Sequence, residues 1–341
     1  MRAMSSCQVA SEGDMMPLIL NRRRFVGLWA AVHGALVLPG CGRAPEATLR
    51  IGTNVWIGSE PLYLARELGH LDPKTVQLVE YPSASEVLRA YRNQAIEGMA
   101  ISLDELFGLA ADGLVPRVVL VIDESRGADV VVGRAGMQAM KDLKGKKVAV
   151  ESGALGAFVL SRALALNEMQ PGDVEVVHME SNEQPSAFEK GQIDGAVTFD
   201  PYRTQFLKNG ATALFDSRQI PGEIVDLVAV RDNVLQRQPN ALQALLGGWF
   251  KAIDYLQQNP KDAAGRMALR QQTSGEQFLD SLQSLHIPTR EENAQMIGGA
   301  APTLVTSGRR LMNLMLDAKL LRSAVPIEAL LAPEPLKALT Q

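Results

Sequence analysis

Apolar and polar residues alternate in Leu49-Arg-Ile-Gly-Thr-Asn54, the period of a β-strand. The following turn, residues 55–59, leads into a predicted helix with Pro61 in its first turn, Leu62, Ala65 and Leu68 on its inner face, and Gly69 as its stop. A second strand is expected over 76–81. Ser83-Ala-Ser-Glu86 then has the spacing of a capping box and opens a helix with Val87, Leu88 and Tyr91 inward. Residues 98–102 predict a third strand, Ser102-Leu-Asp-Glu105 repeats the capping spacing, and 118–122 is a fourth apolar run. After a polar connector at 140–147 the pattern starts again: strand 148–151, glycine-containing turn 152–156, helix 157–169, strand 174–179, helix 186–190 ending at Gly191, and strand 193–200. Ile193-Asp-Gly-Ala-Val-Thr-Phe-Asp200 echoes Ile96-Glu-Gly-Met-Ala-Ile-Ser-Leu-Asp104, with Met99 as one extra residue. Strands alternating with helices imply an α/β protein of two lobes, each a mainly parallel sheet flanked by helices. From Asn240 onward the period is helical, with Leu242, Leu245, Leu246, Trp249 and Ile253 on one face, so these helices are expected to pack back onto the first lobe.

The first forty residues follow a different logic. Asn21-Arg-Arg-Arg-Phe-Val26 precedes an apolar run, 25–38, too short for a permanent span, which needs about twenty residues. The run ends at Leu38-Pro-Gly-Cys41, which resembles a bacterial lipobox, and the arginines resemble a twin-arginine signal. Residues 1–40 are therefore expected to be an export signal, Cys41 a lipidated N-terminus and 41–47 a tether. Translation starting at Met15 or Met16 would place Cys7 outside the protein. The expected localisation is the periplasm or the outer face of the cell membrane, with the lipid on Cys41 as the membrane contact.

Composition narrows the function. The 341 residues carry Lys+Arg 34 against Asp+Glu 38, a net charge of -4, which argues against a nucleic-acid partner. With only Cys7 and Cys41, neither a disulfide framework nor a cysteine metal site is expected. The histidines beyond the signal, His70, His178 and His286, form no HExxH motif, and no GxSxG elbow or Walker loop occurs, so no metal, no cofactor and no enzymatic turnover are expected.

Four stretches, Gly52-Thr-Asn-Val-Trp-Ile-Gly-Ser-Glu-Pro-Leu-Tyr-Leu-Ala65, Asp142-Leu-Lys-Gly-Lys-Lys-Val-Ala-Val-Glu151, Gly191-Gln-Ile-Asp-Gly-Ala-Val-Thr-Phe-Asp-Pro-Tyr202 and Leu214-Phe-Asp-Ser-Arg-Gln-Ile-Pro-Gly222, occur in an order and spacing similar to the nitrate/sulfonate/taurine-type periplasmic substrate-binding proteins of ABC transporters. The resemblance implies a Venus-flytrap fold, with lobe 1 from 48–126 plus 224–341 and lobe 2 from 127–223. It also implies a small-molecule ligand in the cleft and a permease and ATPase complex as partners. The same broad group includes a pyrimidine synthase that depends on a cysteine-rich segment, which this chain lacks. Crossing segments are expected near 124–131 and 220–230. An alternative role on the same fold is ligand sensing, reported to a membrane signalling protein.

Parallel sheets present their βα turns at one edge, so six turns are candidate ligand contacts: 55–59, 82–85, 102–105, 151–156, 179–181 and 198–202. Trp56 could stack on a ligand or pack as core, and Ser59 closes the same turn. Ser152, Gly153 and Gly156 could line an anion site with amides or form an ordinary helix start. Ser83 could contact ligand or act as a plain N-cap, and the same choice applies to Asp200 before Pro201. Asp104 holds the matching place in the first lobe, and Glu151 and Thr198 complete the candidate set. The six turns contain no arginine, which leans away from nitrate or a simple sulfonate and toward a ligand with nitrogen donors.

Overall fold

The computed structural model describes residues 46–151, 153 and 155–339. The expected export signal at 1–40, Cys41 and Ser152 lie outside the described residues.

Eleven strands among the described residues form two sheets. The first takes β1 (Leu49–Thr53), β2 (Val76–Glu80), β3 (Gly98–Ser102), β4 (Pro116–Ser125), β10 (Val225–Arg231) and β11 (Leu285–His286) in the order β11-β4-β10-β3-β1-β2. The second takes β5 (Val130–Gly133), β6 (Lys147–Val150), β7 (Glu175–His178), β8 (Gly195–Thr198) and β9 (Thr212–Asp216) in the order β7-β6-β8-β5-β9. Omitting the edge strand β11, the two orders have one design, and the echoing segments β3 and β8 occupy the same place in each. Both are flanked by β1 or β6 on the parallel side and by β10 or β5 on the antiparallel side.

The two-sheet α/β expectation holds: most strands of each sheet run the same way, and the exceptions are β10 and the two-residue edge strand β11 in the first sheet and β5 in the second. β1 pairs in parallel with β2 and β3, and β6 with β7 and β8. β10 and β5, however, each run antiparallel to both neighbours. The reason is topological. β4 leaves the first sheet and the chain enters the second as β5; β9 leaves the second and the chain returns as β10. A strand delivered from the opposite sheet arrives pointing against the βα strands already there. These links are residues 126–129, inside the expected first crossing, and 217–224, which ends earlier than expected because Val225 already belongs to β10.

Helices cover the sheets where the apolar period requires it. α1 (Glu60–Glu67), α2 (Ala84–Arg92) and α3 (Leu103–Ala111) follow the first three strands. α4 (Leu155–Leu166), α5 (Gln184–Glu189) and α6 (Tyr202–Lys208) follow β6, β7 and β8. Short α7 (Val234–Arg237) precedes α8 (Pro239–Gln258), whose Leu242, Leu245, Leu246, Trp249 and Ile253 are all buried in the core of the first sheet, as their spacing predicts. α9 (Pro260–Arg270), α10 (Gly275–Leu282), α11 (Arg290–Ile297), α12 (Thr303–Asp317), α13 (Ile327–Leu330) and α14 (Glu334–Ala338) complete the chain. In β5 the side chains alternate between two cores: Val131 joins the cluster with Val148, Val150 and Phe215, whereas Val130 and Val132 join Ala149, Ala196 and Phe206. A sheet buried on both faces needs apolar residues at every position, which is why β5 reads Val-Val-Val.

The two links are tied to each other. The hydroxyls of Ser125 and Ser217 are 2.7 Å apart, and Ser217 Oγ accepts from the Gly127 N–H at 2.6 Å. Glu223 in the second link accepts from Arg162 of α4 at 2.6 and 3.0 Å and from Arg310 of α12 at 3.2 Å.

Candidate functional site

A cavity of about 630 Å³, open mouth included, lies between the sheets. One wall is built at the ends of the first-sheet strands: Asn54, Trp56 and Ser59 after β1, Ser102 and Glu105 where β3 runs into α3, and Asp226 at the start of β10. The other wall is Glu151 after β6, Leu155 and Gly156 of α4, Ser181 after β7, and Val197 and Phe199 at the end of β8. Asp129 joins them from the first link. Each contributor sits where a strand hands over to a loop or helix, so the sheet fixes its position while the backbone turns its side chain inward.

Two contacts cross the space. Trp56 Nε1 donates to Asp123 Oδ2 at 3.0 Å, and its ring meets Phe199 edge-on at 5.5 Å between centroids. Phe199 in turn meets Tyr202 edge-on at 5.7 Å. Gly58 permits the indole bond, because a Cβ there would lie 1.8 Å from Asp123 Oδ2 and 2.5 Å from Trp56 Nε1. On the other side of the cavity Glu151 Oε1 accepts from the Ser85 N–H at 2.7 Å and from its hydroxyl at 2.9 Å, while Oε2 accepts from the Ser181 hydroxyl. A carboxylate from the second sheet therefore sits on the first turn of α2, where helix amides point outward.

The electrostatics are one-sided. Glu105, Asp129, Glu151 and Asp226 line the cavity, and no lysine, arginine or histidine is among its described lining residues. Asp104 and Asp123 are buried beside them. Burial pushes the Asp129 carboxyl up to about 7, with the charge of Asp104 adding to it. Burial likewise raises Asp104, and raises Glu105, which also feels the charges of Asp104 and Glu151. Asp226 faces Asp123 across paired strands, and burial followed by that neighbour's charge drives its pKa well above the usual carboxylate range. Two carboxyls so placed cannot both ionise readily, so one holds a proton. Among the described residues no group of His, Cys, Asp or Glu has an arrangement that could hold a metal ion.

Residues 42–270 match the NMT1-like family. The chain belongs to the NMT1-like family. A relative of this NMT1-like protein, named for binding aliphatic sulfonates in Bacillus subtilis (strain 168), is 28% identical over 269 residues, covering 70% of this chain and 76% of the relative. The alkanesulfonate-binding protein SsuA from Xanthomonas axonopodis pv. citri, solved bound to MOPS, superposes with a TM-score of 0.71 at 18% identity over 85% of this chain and all of that one. The periplasmic aliphatic sulphonate binding protein SsuA from Escherichia coli superposes with a TM-score of 0.67 at 20% identity, over 84% of this chain and 92% of the other. The fold of the NMT1-like protein is thus that of periplasmic binding proteins.

Of the residues singled out by sequence, Trp56, Ser59, Glu151 and Gly156 line the cavity. Gly156 does so for want of room: a Cβ would lie 3.2 Å from the Glu151 backbone nitrogen. Ser83 is the N-cap of α2, accepting from the Glu86 N–H at 3.3 Å, and is not among the lining residues. Asp104 is buried in α3 and Thr198 in β8; neither is among the residues lining the cavity, and Gly153 is also absent from them. Asp200 sits in a second, smaller concavity with Thr204, Lys208 and Gln271. Its Oδ1 accepts from the Thr204 N–H at 3.1 Å and hydroxyl at 2.7 Å, and its Oδ2 accepts from Ser281 of α10 at 3.0 Å. α6 starts at Tyr202 with Pro201 as its cap residue, so Asp200 caps from one residue upstream. The sequence reading passed over Asp123, Asp129 and Asp226. Each is an acid bordering an apolar strand run, Val118 to Ile122, Val130 to Val132 or Leu227 to Val230, and an acid at a buried strand end is a signal that could have been used.

Proposed function

We propose that this NMT1-like protein is an extracytoplasmic solute-binding protein that captures a small organic ligand between two lobes, 48–126 plus 224–341 and 127–223, and delivers it to the permease of an ABC importer without chemical turnover. The observation that carries this reading is the cavity walled from both sheets at their strand ends, with Trp56–Phe199 and Ser85–Glu151 meeting across it. A ligand touching both walls binds the closed arrangement better than an open one and so shifts the population toward it. The names of the sulfonate-binding relative and of the two SsuA structures support the same role.

Anchoring through Cys41 belongs to this proposal. It rests on the Leu38-Pro-Gly-Cys41 junction behind a cationic and then apolar stretch, and the family match beginning at residue 42 is consistent with it. Among the described residues no helix is long and apolar enough to cross a membrane.

Hydrogen exchange on the full chain, with and without a small-molecule extract of its source cells, tests the binding role. Residues 53–60 and 195–202 should gain protection together. Protection of one wall alone, or of neither with any extract, would contradict capture between two lobes.

A further inference from the structure

Among the described residues the cavity wall is acidic without a compensating cation, and one of its acids is left open. Asp129 is only 2% exposed, lines the cavity, and its Oδ2 has no hydrogen-bond partner among the described residues. An unpaired buried carboxylate oxygen is costly in an empty protein. A hydrogen bond from Ser125 favours the charged form of the Asp129 carboxyl, but the neighbouring charges oppose it: Asp104 of α3 acts on it, and Asp123 of β4, Asp226 of β10 and Glu105 lie in the same cluster. Glu124 adds to the charge near Asp123, and Glu151 to that near Glu105 and Tyr202. The arginine on the helix beside the second wall is directed elsewhere, since Arg203 Nη1 donates to the Gly127 carbonyl at 3.4 Å and lies 3.9 Å from Asp200. The rings of Trp56 and Phe199 line the same cavity, surfaces suited to a cation.

We propose that the cavity takes an organic cation, a protonated amine or amidine whose N–H groups meet Asp129 and Asp226 while its carbon frame lies against Trp56 and Phe199, and that it disfavours a sulfonate. This rests on the solute-binding reading and narrows its ligand. A metal ion is a poorer occupant, because the acids are not arranged to coordinate one. The cation supplies the positive charge that the wall lacks, and its N–H donors satisfy the open oxygen. A sulfonate would find acceptors facing acceptors, unless the carboxyls were protonated. The two cases separate by pH. A cation must displace the protons held on the buried acids, so its affinity rises with pH; an anion held by protonated carboxyls binds less well as pH rises.

The test is titration calorimetry on the full chain with a matched set on one ring, benzamidine, benzyl alcohol and benzenesulfonate, plus ethanesulfonate, at pH 6 and pH 8. Benzamidine should bind at least tenfold tighter than the alcohol or the sulfonate at pH 8, and tighter at pH 8 than at pH 6. Asp129→Asn should weaken it at least tenfold while raising the unfolding temperature of the empty protein, since the substitution removes a buried charge that the empty fold leaves uncompensated; Asp226→Asn serves if that variant does not fold. The assignment is overturned if benzenesulfonate or ethanesulfonate binds as tightly as benzamidine, if benzamidine binding weakens with rising pH or ignores Asp129→Asn, or if none of the four compounds binds. Sulfonate binding without benzamidine binding would leave the solute-binding reading standing. Absence of protection at both walls with every extract would remove that reading as well.

Discussion

The indole of Trp56 donates to Asp123 while its ring edge meets Phe199, so one side chain serves both the core of the first sheet and the wall of the cavity. The two readings of this residue from sequence, stacking surface and core packing, are compatible in the folded chain. Asp200 resolves differently. Its oxygens are engaged by Thr204 and Ser281, away from the cavity lining, so Asp200→Ala should cost about 0.5–2 kcal/mol of folding stability, the range for a lost helix cap. Thermal unfolding of the variant checks this; an unchanged midpoint would contradict it. Asp129 sets a pH dependence. Its folded pKa, about 7, lies above the unfolded carboxylate value of about 3.9, so the folded state holds the extra proton between them and stability falls as pH rises through that window. The empty protein should therefore unfold at a higher temperature at pH 5 than at pH 8, and Asp129→Asn should shrink the difference. A midpoint that rises from pH 5 to pH 8 would contradict it. These acids escaped the sequence reading because an Asp next to Val-Val-Val looks like a strand terminator facing water. Only the fold puts three such ends in one place.

Helices and strands with a local signature were legible. Pro61 and Gly69 bracket α1 because each acts on its own turn, and Ser83 with Glu86 marks the start of α2 through a bond three residues long. Strand direction is not local. β5 and β10 carry the same apolar runs whichever way they pair, and their antiparallel setting follows from the links at 126–129 and 217–224, which join sheets distant in sequence. The same element scale governs closure. Ser85 is not among the cavity-lining residues, yet its hydroxyl donates to Glu151 across the cleft, so Ser85→Ala weakens the closed state without touching a ligand. A hydrogen bond to a carboxylate is worth about 1.5 kcal/mol at the low end, which predicts roughly tenfold weaker ligand affinity. Calorimetry against wild type measures it, and equal affinities would exclude this latch.

Across the whole molecule, the two sheets, the tied links and the cavity form one device for holding a solute, with the helices after α7 thickening the first lobe. The proposed anchor would act on the chain as a whole: Cys41→Ser should release the protein into the soluble fraction, and a wild-type chain already soluble and without acyl groups by mass spectrometry would contradict the anchor. The central claim is that this cavity holds one small solute. Native mass spectrometry of the full chain, after incubation with a small-molecule extract of its source cells and gentle desalting, tests it directly. The account predicts a single adduct per chain, of a small molecule that is positively charged once released. Spectra showing only the bare chain after every extract would contradict it.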